Sequence, residues 1–198
     1  IGIPSMIGAY LFPKIFSSFQ HLYPHLDIYL YEEGSMAIRE KLERDELDFG
    51  IVIISDASAS LQLLPMSRNQ IMACIPEKHP LAAHQSISIN DIANADLIML
   101  KEGSFLRQLV LSKIKRANIA PEIVLESNQI ETVKGLIASN VGIAFLLDFI
   151  AKGSPGIKAV PFDEPLYVDL GLAWKKDRYI SNAAQSFIDF CRTTMQNG

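Results

Sequence analysis

The stretch Tyr23–Ile53, YPHLDIYLYEEGSMAIREKLERDELDFGIVI, constrains the fold more than any other part of the chain. Asp27–Glu32 alternates apolar and polar residues and carries the β-favouring Tyr29 and Tyr31, which predicts a strand. Gly34-Ser35 follows as a turn and an N-cap. Ile38 and Leu42 lie four apart on one helix face, Asp45-Glu46 breaks that helix, and Phe49–Ile53 is an apolar run. A continuous run of this kind suits a parallel strand covered on both faces. Strand, helix and strand in that order place a helix N-terminus at the edge of a sheet. Small ligands are held there by free backbone N–H groups, so the segment points to a sensor or binding protein.

The rest of the chain extends the pattern. Ile1-Gly2-Ile3 is extended, Pro4-Ser5-Met6 is expected as a loop, and Ile7, Leu11, Ile15, Phe19 and Leu22 fall at helical spacing with Pro13 marking an irregular or kinked start. Ser55–Ser60 reads as a polar loop, and strands are expected at Leu61–Pro65, Ile71–Ile75 and Leu97–Leu100. Gly103-Ser104 repeats the Gly-Ser helix start, Glu122–Glu126 is a strand, and Ser127-Asn128-Gln129 caps another helix. Strands at Gly142–Leu147, Ile157–Val160 and Leu166–Trp174 precede a last helix capped by Ser181, with Phe187, Ile188, Cys191 and Met195 on one face. The element order predicts an α/β chain of two Rossmann-like lobes joined by two crossover strands. Lobe I takes residues 1–72 plus 170–198 and lobe II takes 73–169.

Composition bounds the function. Hydrophobic residues at 49% and charged residues at 20% of 198 are those of a globular protein with a sizeable core. A net charge of −4 argues against nucleic-acid binding by this segment, because phosphates need a concentrated basic face. The densest basic cluster, Lys113, Lys115 and Arg116, reads as a solvated helix face. No apolar run approaches the roughly 18 residues of a membrane span. Cys74 and Cys191 lie among apolar neighbours and read as reduced structural thiols, which fits a cytosolic location. The chain opens inside a strand, which implies a preceding N-terminal part.

No catalytic or cofactor motif emerges: GxSxG, HExxH, CxxC and a phosphate-cradling Gly-rich loop are all lacking. His21, His25, His79 and His84 have no metal-ligand spacing and read as surface or capping residues, and Glu32-Glu33 point to opposite strand faces. What recurs is a helix start with small polar groups, at Ser5, Gly34-Ser35, Gly103-Ser104 and Ser127-Asn128-Gln129. Free N–H groups and the helix dipole at such ends suit a small carboxylate.

Gly2-Ile3-Pro4, Leu11-Phe12-Pro13, Tyr23-Pro24, Glu33-Gly34-Ser35, Glu46-Leu47-Asp48-Phe49-Gly50-Ile51, His79-Pro80-Leu81-Ala82 and Val141-Gly142-Ile143-Ala144 stand in an order that resembles the effector-binding domain of LysR-type transcriptional regulators. Asp45 stands where such chains usually carry Gly, and Ser139–Gly142 varies a usually Gly-rich approach. The resemblance implies a fold like the type 2 periplasmic binding proteins, no enzymatic activity, no cofactor and a cytoplasmic location. It implies a winged helix-turn-helix ahead of Ile1 that alone contacts promoter DNA, and a homodimer or homotetramer pairing Ile7–Leu22 and Asp27–Glu32 against Ile130–Ser139. It further implies a small-molecule effector in an inter-lobe cleft, with ligand-binding positions at Ser5, Met6, Gly34, Ser35, Ser104, Phe105, Asn128 and Gln129. Effector binding would then shift the population of lobe closures and so the oligomer geometry. An extracytoplasmic solute-binding protein of the same fold is the second reading. An enzyme on this scaffold is the third, and it needs convergent catalytic groups that the sequence does not display.

Overall fold

The computed structural model describes residues 1–56 and 59–196, the side chains at 14, 56, 195 and 196 excepted. In chain order the elements are β1 (Gly2–Pro4), α1 (Ser5–Tyr10), α2 (Phe12–Leu22), β2 (Tyr31–Glu33), α3 (Ser35–Glu43), β3 (Gly50–Ile53), β4 (Leu61–Pro76), β5 (Leu97–Met99), α4 (Phe105–Arg116), β6 (Ile123–Glu126), α5 (Ile130–Ala138), β7 (Ala144–Leu147), α6 (Asp148–Ala151), β8 (Ile157–Lys175) and α7 (Asn182–Gln196). The chain divides into two compact units. Unit 1 is Ile1–Arg68 with Asp169–Gly198, and unit 2 is Asn69–Val168. Only β4 and β8 carry the chain from one unit to the other.

In unit 1, β1 pairs in parallel with β2 (Gly2↔Tyr31 to Pro4↔Glu33) and with β3 (Gly2↔Gly50). Antiparallel β8 lies on the far side of β3, Gly50↔Ala173 to Ile53↔Leu170. Helix α3 crosses this sheet with Ile38 and Leu42 fully buried. Its close approach needs glycine beneath it: a Cβ on Gly50 would lie 2.6 Å from Ile38 Cγ2 and 2.9 Å from Leu42 Cδ1. A second layer of aromatic rings holds α2 and α7 together, Phe19 meeting Phe187 at 5.0 Å and Phe190 at 5.3 Å between centroids. After α3, Asp45 adopts a left-handed backbone with φ 63°, the region that glycine favours and Asp tolerates. Arg178 secures it, with Nη1 3.2 Å from Asp45 Oδ1 and Nη2 2.7 Å from Asp48 Oδ1.

In unit 2, β4 pairs antiparallel with β7 (Ile71↔Leu147 to Cys74↔Ala144), and β5 pairs in parallel with β6 (Leu97↔Ile123 to Met99↔Glu126). The Ile98 N–H donates to Ile143 O and the Ile143 N–H to Asp96 O, both at 2.8 Å. Gly142 is required at this crossing, since a Cβ there would lie 2.6 Å from Asp96 O. Valines, isoleucines and leucines fill the core, with Ile71, Ile75, Ile92, Leu97 and Ile137 fully buried.

Several expectations are corrected. Pro4-Ser5-Met6 is not a loop: Ser5 opens α1 directly after β1. The single helix Ile7–Leu22 is two helices broken at Leu11, because Pro13 in the first turn of α2 has no N–H to continue α1. Asp27–Glu32 is a strand only from Tyr31, where the ladder with β1 begins; Tyr29 O accepts from the Ile1 nitrogen at 2.7 Å, and Tyr29 is 82% exposed. The pairs Leu61–Pro65 with Ile71–Ile75, and Ile157–Val160 with Leu166–Trp174, are single strands, β4 and β8. Their middles are extended strand as well, exposed at 163–165 of β8 and partly buried in β4, where Asn69 is 7% exposed. Of the loop expected at Ser55–Ser60, Ile54–Asp56 forms a 3-10 turn, and Ala57 and Ser58 lie outside the described residues.

The glycine under α3 gives a test with an internal control. Gly50→Ala costs about 1–3 kcal/mol through overpacking, read as a lower urea midpoint. Gly135→Ala, in α5 with nothing within 4 Å of the new methyl, raises the midpoint by removing a helical glycine.

Candidate functional site

Two strand-to-helix turns stand side by side in unit 1. Because Pro4 pairs with Glu33, α1 and α3 begin next to each other at the carboxyl edge of the parallel strands. Gly34, extended at φ −65° and ψ 147°, occupies the N-cap position of α3, and Ser35 is its first helical residue. The expected N-cap role of Ser35 is therefore corrected: the cap position falls on Gly34, and Ser35 itself is 7% exposed. Met6 is buried at 8% and Ser5 is half-buried. Helix α1 is six residues long, so it contributes little dipole, whereas nine-residue α3 presents two full turns.

Unit 2 repeats the arrangement. Met99 pairs with Glu126, which places the β5–α4 turn beside the β6–α5 turn. Ser104 is the N-cap of α4, as expected, its Oγ accepting from the Arg107 N–H at 3.5 Å. Gln129 holds the N-cap position of α5 without a side-chain bond, a correction to the expected three-residue cap. The other two side chains brace the turns instead. Asn128 Oδ1 accepts from the Lys101 N–H at 3.0 Å, and Ser127 Oγ accepts from the Gln129 N–H at 3.1 Å. Phe105, the first residue of α4, is half-buried.

Arg107 was not singled out in the sequence, although it stands at the third position of α4, where the helix dipole disfavours a cation. That mismatch was its signal. Its side chain, 12% exposed, places Nη1 2.6 Å from Leu100 O and Nη2 2.7 Å from Glu126 Oε1. In each unit, then, paired helix starts offer backbone N–H donors and small hydroxyl or amide groups, which suits an oxygen-rich anion. Elsewhere, unit 2 has a cavity of about 300 Å³ by Ile87, Lys113 and Phe162, and unit 1 one of about 160 Å³ by Phe19, Ile28 and Phe49. Neither includes an expected ligand position. Among the described residues, no group of His, Cys, Asp and Glu could hold a metal ion. His79 caps a 3-10 turn through Nδ1, 3.2 Å from the Leu81 N–H, in line with the capping role expected for the histidines.

Comparisons with known proteins bear on this geometry. Residues 1–196 match the family model of the LysR substrate binding domain. The chain is 30% identical over 188 residues to the uncharacterized HTH-type transcriptional regulator YybE of Bacillus subtilis, covering 94% of this chain and 64% of that protein. It thus spans less than two thirds of that relative. The effector binding domain of QuiR, solved in complex with shikimate, matches with a TM-score of 0.84 at 25% identity over 99% of this chain and 95% of that one. The CcmR regulatory domain of Synechocystis, solved in complex with 2-PG, matches with a TM-score of 0.90 at 22% identity over 99% and 96%, a likeness of fold.

The two cysteines sit away from these turns and are buried. Burial pushes each thiol up to about 12 from an ordinary 9.0. The folded value is raised, so the thiols' contribution to stability is full below about 9 and falls as pH rises toward about 12. At pH 8 the native chain should react with an aromatic disulfide reagent only as fast as it unfolds. A thiol titrating within minutes in the absence of denaturant would contradict this burial.

Proposed function

The chain belongs to the LysR substrate binding domain family, and from that premise we propose that it is the effector-sensing part of a LysR-type transcriptional regulator whose ligand is a small carboxylate. The family match over nearly the whole chain carries the first half of this reading. The paired helix starts support the second, through Ser5, Met6, Gly34 and Ser35 in unit 1 and Ser104, Phe105, Asn128 and Gln129 in unit 2. Shikimate, found in the QuiR structure, is a ligand of the chemistry these ends favour. The two compact units are read as the two regulatory lobes. Promoter DNA is contacted through a winged helix-turn-helix carried by the remainder of a longer polypeptide, in keeping with the helix-turn-helix in the relative's name. The location is cytoplasmic, the assembly is a homodimer or homotetramer, and the effector alters its geometry by its differential affinity for two states. The relative's name as a transcriptional regulator favours this reading over a solute-binding protein, and it favours regulation over catalysis. No helix among the described residues is long and apolar enough to cross a membrane.

A thermal-shift screen of small carboxylates, shikimate included, is expected to yield at least one that raises Tm in a concentration-dependent way. Ser35→Ala then weakens that ligand by about 1 kcal/mol, roughly fivefold, with little change in the Tm of the free chain. Unchanged affinity in a calorimetric titration removes Ser35 from the site. With its net charge of −4, the chain by itself shows no measurable affinity for duplex DNA at physiological salt. Tight, salt-sensitive binding contradicts the assignment of DNA contacts to another segment.

A further inference from the structure

We propose that Arg107 is a positioning residue that welds the two ligand turns of unit 2 into one rigid element, with Glu126 as its necessary partner; the consequence for the effector rests on the carboxylate reading above. Arg107 reaches both turns at once. Nη1 donates to Leu100 O at 2.6 Å, at the exit of β5, and Nη2 meets Glu126 Oε1 at 2.7 Å, at the exit of β6. Two further bonds tie the same turns, Lys101 N–H to Asn128 Oδ1 and Ser127 N–H to Met99 O, each at 3.0 Å. Both join one turn directly to the other, whereas Arg107 anchors them to the body of α4 through a planar fork.

The placement is costly, which argues that the link matters. A guanidinium in the first turn of a helix opposes the dipole. Withdrawing it to 12% exposure adds a desolvation cost that only good partners offset. Both partners are met at the short distances of charge-assisted bonds. A lysine cannot substitute, since a single ammonium on a flexible stem does not present two donors in a fixed plane to two acceptors. Pair β5–β6 is short, with a register shift at Leu97/Ile98, so strand pairing alone anchors these turns weakly. Ser104, Asn128 and Gln129 all lie on the segments so joined. Preorganising them lowers the ordering cost of binding.

The weld is tested without a ligand by peptide-level hydrogen exchange on R107K, E126Q and E126A. In R107K and E126A, amides in residues 100–104 and 126–129 are expected to exchange about tenfold faster, while β7 (Ala144–Leu147) keeps its wild-type rate. E126Q, which retains an acceptor but loses the charge assistance, should fall between wild type and E126A. Unchanged exchange in R107K overturns the proposal. So does equal acceleration in β7, which marks a general loss of stability, and so does E126Q behaving like E126A, which marks a role of charge alone. With shikimate or another carboxylate that raises Tm as probe, R107K and E126A should weaken binding about tenfold and E126Q by a smaller factor. Wild-type affinity in R107K overturns the effector part. A wild-type chain that binds no carboxylate overturns the ligand reading, and the exchange data still decide the weld.

Discussion

Parallel pairing of very short strands is the constraint on which the rest depends. Strands β1 and β2 share three residue pairs, and β5 and β6 pair from Leu97 to Met99. Each partner runs straight into a turn and a helix. Parallel register therefore forces neighbouring helices to start side by side at one sheet edge. Had either pair been antiparallel, the helix starts would sit at opposite edges and their N–H groups could not converge. The candidate site in each unit is a consequence of strand direction before it is a matter of side chains.

Short strands hold direction only if something else holds the strands. In unit 1 this is close packing: Ile38 and Leu42 of α3 rest on Gly50, and the ring cluster of Phe19, Phe49 and Phe187 fixes the layer behind. In unit 2 it is polar: Arg107, Glu126 and Asn128 tie the two exits where the β5–β6 pair ends. The units thus solve one problem by two routes. The apolar route gives Ser35 a helix start packed firmly on the sheet. The polar route fixes the turns that carry Ser104, Asn128 and Gln129 through side-chain bonds at the strand exits.

Much of this was legible in the sequence, for physical reasons. The β-α-β order, the Gly-Ser helix starts and the apolar run ending at Ile53 are local signals, and the structure carries them out. The resemblance to LysR-type effector domains is met by the family match over residues 1–196. The misses come from tertiary pairing. Residues 66–70 of β4 and 163–165 of β8 interrupt the apolar strand pattern, yet both stay extended within long strands, 163–165 exposed and 66–70 with Asn69 buried. Asp27–Leu30 has strand character, and Tyr29 O accepts from the Ile1 nitrogen at 2.7 Å, but the paired ladder runs only from Tyr31. Ser35 has the composition of a cap, but the cap position falls on Gly34. The sequence marks Arg107 only by its unfavourable place in the first turn of α4; its partners, Leu100 and Glu126, meet only once β5 and β6 pair.

The central claim is that helix-start N–H groups hold the effector. Amide shift mapping by nitrogen-15 NMR, with a stabilising carboxylate titrated into the chain, tests it most directly. The account predicts that the largest shifts fall on residues at the starts of α3, α4 and α5, Ser35, Phe105 and Ile130 among them. Shifts concentrated instead around Ile87, Asn90 and Phe162, at the separate cavity of unit 2, would contradict it.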